Sequence, residues 1–307
     1  MKIYLNKVNE SWIVDRLRDE WFQYNENIST NNIKESDVIW IIAPWMWNRI
    51  PKRYLKQKTV ICTIHHIDFE KFDRNEEKNF YDRDVYVDIY HAVSKKTEEQ
   101  LLQLTKKRIY TIPFWINQNI FFEKNNKSEL RKKYGISEKD YLIGSFQRDT
   151  EGKDLVSPKL SKGPDQFIKI VKELSQENDN LKVLLTGKRR NYVIKNLKDN
   201  SIPFYYFEMI TFEELNDLYN LLDLYIVASR VEGGPQAIVE CAITKTPIIS
   251  TDVGLASLIL DKVSLFDMNN FKLAKPNTKS AYKKASILNI PDGFSDFLNL
   301  FEESNEN

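Results

Sequence analysis

The first 134 residues contain no glycine, and all nine glycines of the 307-residue chain lie at or beyond Gly135. A backbone that wraps closely around a diphosphate needs glycines, so the first half cannot hold such a cradle and any nucleotide belongs to the second. Cysteine is scarce too. Cys62 and Cys241 lie in apolar surroundings in different halves, which excludes a disulfide scaffold and fits buried thiols in a reducing compartment. Charge imbalance is absent, with 45 Lys and Arg against 44 Asp and Glu. No global field therefore draws the chain to nucleic acid, although a local basic patch leaves room for peripheral membrane contact. The longest apolar run, around Val38 to Trp47, is too short to span a bilayer, and the first residues lack a signal-peptide core. These features lead us to expect a cytoplasmic protein. With three histidines and no His, Cys or carboxylate cluster at ligand spacing, no metal and no cofactor are expected.

What is present alternates between strand and helix. In the first half the pattern predicts strands Lys2 to Leu5, Asp37 to Ala43, Thr59 to Ile64 and Val85 to Val93, with helices Trp12 to Tyr24 and Lys95 to Leu104. The second half predicts strands Tyr141 to Phe146, Val183 to Gly187, Phe204 to Phe207, Leu224 to Ala228 and Thr246 to Ser250. Helices Asp165 to Ser175, Tyr192 to Lys198, Phe212 to Asn220 and Pro235 to Ile243 fall between them, and an amphipathic helix Phe294 to Phe301 ends the pattern. The expected class is α/β, with doubly wound parallel sheets. The polar passage from Phe122 to Glu129 places the domain boundary, giving 1–122, 123–290 and a 291–307 helix and tail.

The stretch from Leu224 to Glu240 organises the rest. An apolar strand breaks at Ser229, Arg230, Gly233 and Gly234, Pro235 suits a first helical position, and Glu232 and Glu240 flank the helix start. An uncapped helix N-terminus beside two glycines is an anion site. One glutamate can meet a group beside the phosphates, and the other a group further along the same ligand. Taken alone, Gly-Gly-Pro is also ordinary loop-to-helix punctuation.

The ordered set Ser229-Arg-Val-Glu232-Gly233, Glu240 and Pro247-Ile-Ile-Ser-Thr-Asp-Val-Gly254 resembles the Glu-x7-Glu signature of the retaining GT-B glycosyltransferases of family 4, also called group 1. The resemblance implies GT-B architecture, two Rossmann-like domains facing a central cleft, with the donor in the C-terminal one and the tail helix crossing back to the first. It implies a nucleotide-sugar-dependent hexosyl- or related glycosyltransferase that uses a UDP-, GDP- or ADP-sugar and a glycan, lipid-linked or other hydroxyl acceptor. Such an enzyme would serve cell-surface polysaccharide or glycoconjugate synthesis. Glu232 and the backbone at Gly233, Gly234 and Pro235 would position the sugar and phosphates, and Glu240 the ribose. Gly144 and Arg148, with Lys162 before Gly163, are similar to the family's Gly-Arg and Lys-Gly elements, whose cations hold the diphosphate. Here the insertion Asp149 to Leu160 separates them, and its Lys153 and Lys159 are substitutes for Lys162. A histidine at the end of the third strand contacts the transferred sugar in the family. Thr63-Ile64-His65 matches that position best, with His66 as the alternative, and His91 has no assigned role. The chain departs from the family in lacking a Gly-rich loop after its first strand. Two other readings stay open: a GT-B epimerase or phosphorylase, and a catalytically silent sugar-nucleotide-binding protein.

Overall fold

The computed structural model describes residues 1–8 and 13–305. The predicted start of the first helix, at Trp12, lies outside the described residues. The chain divides into two compact units, 1–115 with 290–307, and 116–289. The sequence placed the main boundary a little later, at 122/123; the polar segment that suggested it belongs to the second unit, where Phe122 N donates to Asn216 Oδ1 at 3.1 Å.

The first unit holds a six-stranded parallel sheet of β1 (Ile3–Leu5), β2 (Ser29–Thr30), β3 (Val38–Ile41), β4 (Thr59–Ile64), β5 (Ile89–Ala92) and β6 (Arg108–Thr111). Its order is β2-β1-β3-β4-β5-β6. Successive side chains on a strand point to opposite faces, so the β-branched runs feed two apolar layers. Val38, Trp40 and Ile61 enter one layer, while Ile39, Ile41, Val60, Cys62 and Ile64 enter the other. Helices cover both. The passage predicted as one strand from Val85 to Val93 begins instead at the C-cap of the Arg74–Asp84 helix, whose start is capped by Asp73, and after a turn holds only the shorter β5. The final helix, Ser295–Asn305, belongs to this unit. Phe294, Phe297, Leu300 and Phe301 recur at helical spacing and bury themselves against Trp21, Trp40 and Trp115, with ring centroids 4.5 Å apart for Trp115–Phe294 and 5.1 Å for Trp40–Phe301.

The second unit holds β7 (Tyr141–Ser145), β8 (Leu181–Thr186), β9 (Phe204–Phe207), β10 (Leu224–Val227), β11 (Ile248–Thr251) and β12 (Leu265–Phe266). All are parallel, in the order β12-β11-β10-β7-β8-β9. Counted within the unit this is the 3-2-1-4-5-6 order of a dinucleotide-binding sheet, which reverses direction between β7 and β10. Ligands in such sheets bind beyond the strand ends at that reversal. Local chemistry sets the helix starts. Thr211 and Glu214 close a capping box on Phe212–Leu221, and Pro164 opens Pro164–Ser175.

Candidate active site

At the reversal of the second sheet, the loops after β7 and β10 and the turn before Pro164 are laced together. Ser161 O accepts from Arg230 N at 2.8 Å and Val231 N at 3.0 Å, and Arg230 clamps Asp165 with contacts of 2.8 and 2.6 Å. Gly163 is left-handed at φ 59°, and a Cβ there would lie 1.7 Å from Ala228 O. Only glycine lets this turn touch the end of β10. Gln147 ties the third loop in, donating to Lys162 O at 2.8 Å and accepting from Ser229 Oγ at 3.3 Å.

These links bring Lys162 and Glu232 together across 70 residues of chain: the ammonium donates to Glu232 Oε1, which Ser229 Oγ also approaches at 3.2 Å. The carboxylate is almost enclosed, its side chain 6% exposed against 21% for the lysine. The third part of the signature locks the loop from the other side. Thr251 Oγ1 donates to Ser229 O at 2.6 Å, and Gly254, at φ 49°, has no room for a Cβ because Gly233 O lies 2.1 Å from where it would be. The helix that follows runs Gln236–Ile243, with Pro235 at its cap position rather than inside it and no side chain capping its N-terminus. Ile238 N donates to Pro235 O at 2.9 Å, and the positive end of the helix dipole faces the loop at Gly233 and Gly234.

Glu240 lies one and a half turns into that helix and is buried. Tyr219 O–H donates to its Oε2 at 2.7 Å. Burial beside this carboxylate pushes the Tyr219 phenol well above its ordinary range, so it stays a donor that fixes Glu240. No sequence pattern pointed to Tyr219, because its helix and that of Glu240 meet only in the fold. Gly144 occupies a different environment from the one the resemblance implied. It lies inside β7, where a Cβ would sit 2.3 Å from Leu222 Cδ1, so its small size serves packing. Arg148 follows β7 and is half-buried, within the electrostatic reach of Lys159.

The insertion after Arg148 is an ordered hairpin. Thr150 and Pro158 form an antiparallel bridge, Glu151 N donates to Ser157 O at 3.0 Å, and Lys159 N donates to Asp149 O at 2.8 Å. Its base is fixed by fully buried Arg190, whose Nε meets Asp149 Oδ2 at 3.0 Å while Nη1 donates to Ser145 O at 2.6 Å. Burial raises the Asp149 carboxyl, opposed by the Arg190 charge. Of the insertion's three acids, Asp149 is committed to Arg190 and Asp154 to the tip turn at Ser157. Among the described residues no group of three His, Cys, Asp or Glu is placed to hold a metal ion.

In the first unit, His65 and His66 follow β4 and are half-buried. His65 Nε2 lies 2.9 Å from Ile42 O, which makes that nitrogen the protonated one, and its ring stacks on Phe114 and meets Trp45. His91 is a core residue. Trp40 Nε1 donates to Thr63 Oγ1 at 2.8 Å, so the Thr63 proton goes to His91 Nδ1 and the His91 Nε2 proton to Ile112 O at 2.7 Å. Burial holds this imidazole neutral, its pKa pushed down to about 3.

Comparison with known proteins agrees with this geometry. Residues 155–287, most of the second unit, match the family of glycosyl transferases group 1. Among solved structures, HepE of Anabaena in complex with UDP is 13% identical, with 99% of this chain and 100% of that chain aligned at a TM-score of 0.75. Sucrose-phosphate synthase of Thermosynechococcus elongatus is 14% identical over 97% of this chain and 80% of that one, with a TM-score of 0.69. TarM of S. aureus, solved with UDP among its ligands, is 14% identical over 93% and 58%, with a TM-score of 0.65. No curated protein matches the chain by sequence. The pair of Rossmann-like sheets is the GT-B fold.

Proposed function

We propose that the chain is a retaining transferase that moves a sugar from a nucleoside-diphosphate sugar to a hydroxyl acceptor, with the second unit holding the donor and the first serving the acceptor. The observation that carries this reading is the Lys162–Glu232–Ser229 constellation beside the uncapped helix at Gln236. It offers a cation and the positive end of a helix dipole for a diphosphate and a carboxylate for sugar hydroxyls. When a diphosphate takes the Lys162 ammonium, Glu232 exchanges its ion pair for hydrogen bonds to the sugar. Charge developing on the leaving β-phosphate is then met by Lys162, Arg148 and the helix end, which is stabilisation realised mainly in the transition state. These fixed cations stand where a divalent ion would otherwise act, so turnover is expected to be unchanged in excess chelator. Neighbours solved with UDP favour testing uridine donors first. Retention is part of the proposal because the Glu-x7-Glu arrangement resembles that of retaining enzymes. Work in glycan or lipid-linked polysaccharide synthesis is the setting this chemistry suits.

The test is a thermal-shift screen with UDP-, GDP- and ADP-sugars, followed by product analysis with the best donor. A bound donor raises the melting temperature by mass action. Nucleoside diphosphate is expected to appear in equal amount to a glycosylated product whose anomeric configuration matches the donor's. Stabilisation without turnover would establish the silent binding protein instead, and a product not matched by nucleoside diphosphate release the epimerase or phosphorylase.

A further inference from the structure

The 149–159 hairpin carries two lysines with opposite surroundings. Lys153 is exposed at the tip. Lys159 sits at the base, where its backbone is held on both sides: its N–H donates to Asp149 O at 2.8 Å and its carbonyl accepts from Lys162 N at 2.8 Å. The same hairpin strand end is pinned to the sheet through Asp149 and buried Arg190. The Lys159 backbone is therefore held beside Lys162 and beside Asp149, the chain neighbour of Arg148.

Lys159 is half-buried, yet no hydrogen bond or ion pair to its ammonium is found among the described residues. The charges that act on it are Lys162 on the turn before Pro164, Arg148 after β7, Glu232 after β10, and Glu151 from the hairpin itself. Two like charges stand against carboxylates of which one, Glu232, is already engaged by Lys162. A half-buried cation with no ion-pair partner, in the field of two other cations, is costly in the free protein and is relieved by a multiply charged anion placed among them.

We infer that Lys159 is a third cation of the diphosphate site, supplied by the hairpin, and that it engages the diphosphate together with Arg148 and Lys162. This rests on the donor-site reading above and adds a residue to it. In the free protein burial, followed by the fields of Lys162 and Arg148, lowers the Lys159 ammonium to about 8. Near pH 8 it is then about half protonated, and an arriving diphosphate draws the remaining fraction of a proton onto it.

The experiment is calorimetry of the full chain at pH 8 with UDP, GDP, ADP, uridine and inorganic pyrophosphate, in two buffers of different ionisation enthalpy. Wild type is expected to take up about half a proton on binding the nucleoside diphosphate. Lys159→Met is expected to weaken that diphosphate by roughly tenfold or more and abolish the proton uptake, with nucleoside binding unchanged. Lys159→Arg, always charged, should restore affinity while taking up no proton, which a merely structural role would not produce. Lys153→Met should match wild type. Unchanged diphosphate affinity in Lys159→Met, or an equal loss of nucleoside affinity, overturns the inference and leaves the donor site standing. Binding of pyrophosphate but of no nucleoside diphosphate, with the loss still specific to Lys159, supports the third cation and overturns the nucleotide reading. Binding of neither overturns both.

Discussion

The two sheets have the same number of strands and the same parallel sense, but they reverse direction at different places, and those places are furnished differently. In the first unit the reversal lies between β1 and β3, and Asn6 bridges it: its Nδ2 donates to Ala43 O at 3.1 Å and its Oδ1 accepts from Ala43 N at 3.2 Å. In the second unit the reversal lies between β7 and β10, and the loops there end in Arg148, Ser229 and Glu232, with Gly163 and Gly254 letting neighbouring backbones press together. One reversal is stitched by an amide side chain. The other is lined by cations, a carboxylate and an uncapped helix end. Topology makes a crevice, and the side chains at its lip decide whether it holds a ligand. Glycine follows the same division, since the first unit has a single one, Gly293 in its returning C-terminal segment, while the other eight lie in the second.

The most damaging change to this contrast should be Arg190→Met. It leaves Asp149 buried without its partner, detaches the hairpin base, and is expected to cost about 3–5 kcal/mol of stability, read as a fall in the denaturant midpoint. Glu232→Gln should keep the fold and lower kcat by roughly a hundredfold, about 2.7 kcal/mol, while nucleoside diphosphate affinity stays within about threefold. Turnover kept with affinity lost would place Glu232 on the phosphates. Next comes Lys162→Ala, expected to weaken nucleoside diphosphate by roughly ten- to a hundredfold, the range of a charge-assisted contact, with the nucleoside unaffected in titration. Asn6→Ala tests the other unit: loss of its two backbone hydrogen bonds should cost about 1–2 kcal/mol without altering nucleoside diphosphate affinity. A clear affinity change there would dissolve the distinction between the two reversals.

The smallest effect is a pH dependence of stability. The Lys159 ammonium is held near 8 in the fold against an ordinary 10.5, so the unfolded chain binds more protons between those values. Stability of the ligand-free protein should therefore gain a rising component from about pH 8 to about pH 10.5. In Lys159→Met that component should vanish, and the melting temperature below pH 8 should rise by about 2–4 °C for each kcal/mol relieved. A flat difference between variant and wild type across this range would show that the site tolerates the charge at no cost.

By itself the sequence determined whatever depends on near neighbours along the chain. Apolar β-branched runs such as Thr59–Ile64 specified the strands, and the nine residues from Glu232 to Glu240 specified a carboxylate before a helix and another within it. Gly163 and Gly254 were visible as letters, but their need became visible only where Ala228 O and Gly233 O press against them. Helix boundaries in polar stretches, such as Arg74–Asp84, were missed because their apolar periodicity is weak and the cap at Asp73 carries the start. The tertiary structure alone decided that Lys162 meets Glu232, that Tyr219 holds Glu240, and that Lys159 rather than Lys153 faces the cations. Each of these pairs residues far apart in sequence or separates two alike within one loop. Such choices are made by sheet order and by the buried Asp149–Arg190 anchor, which no local pattern encodes.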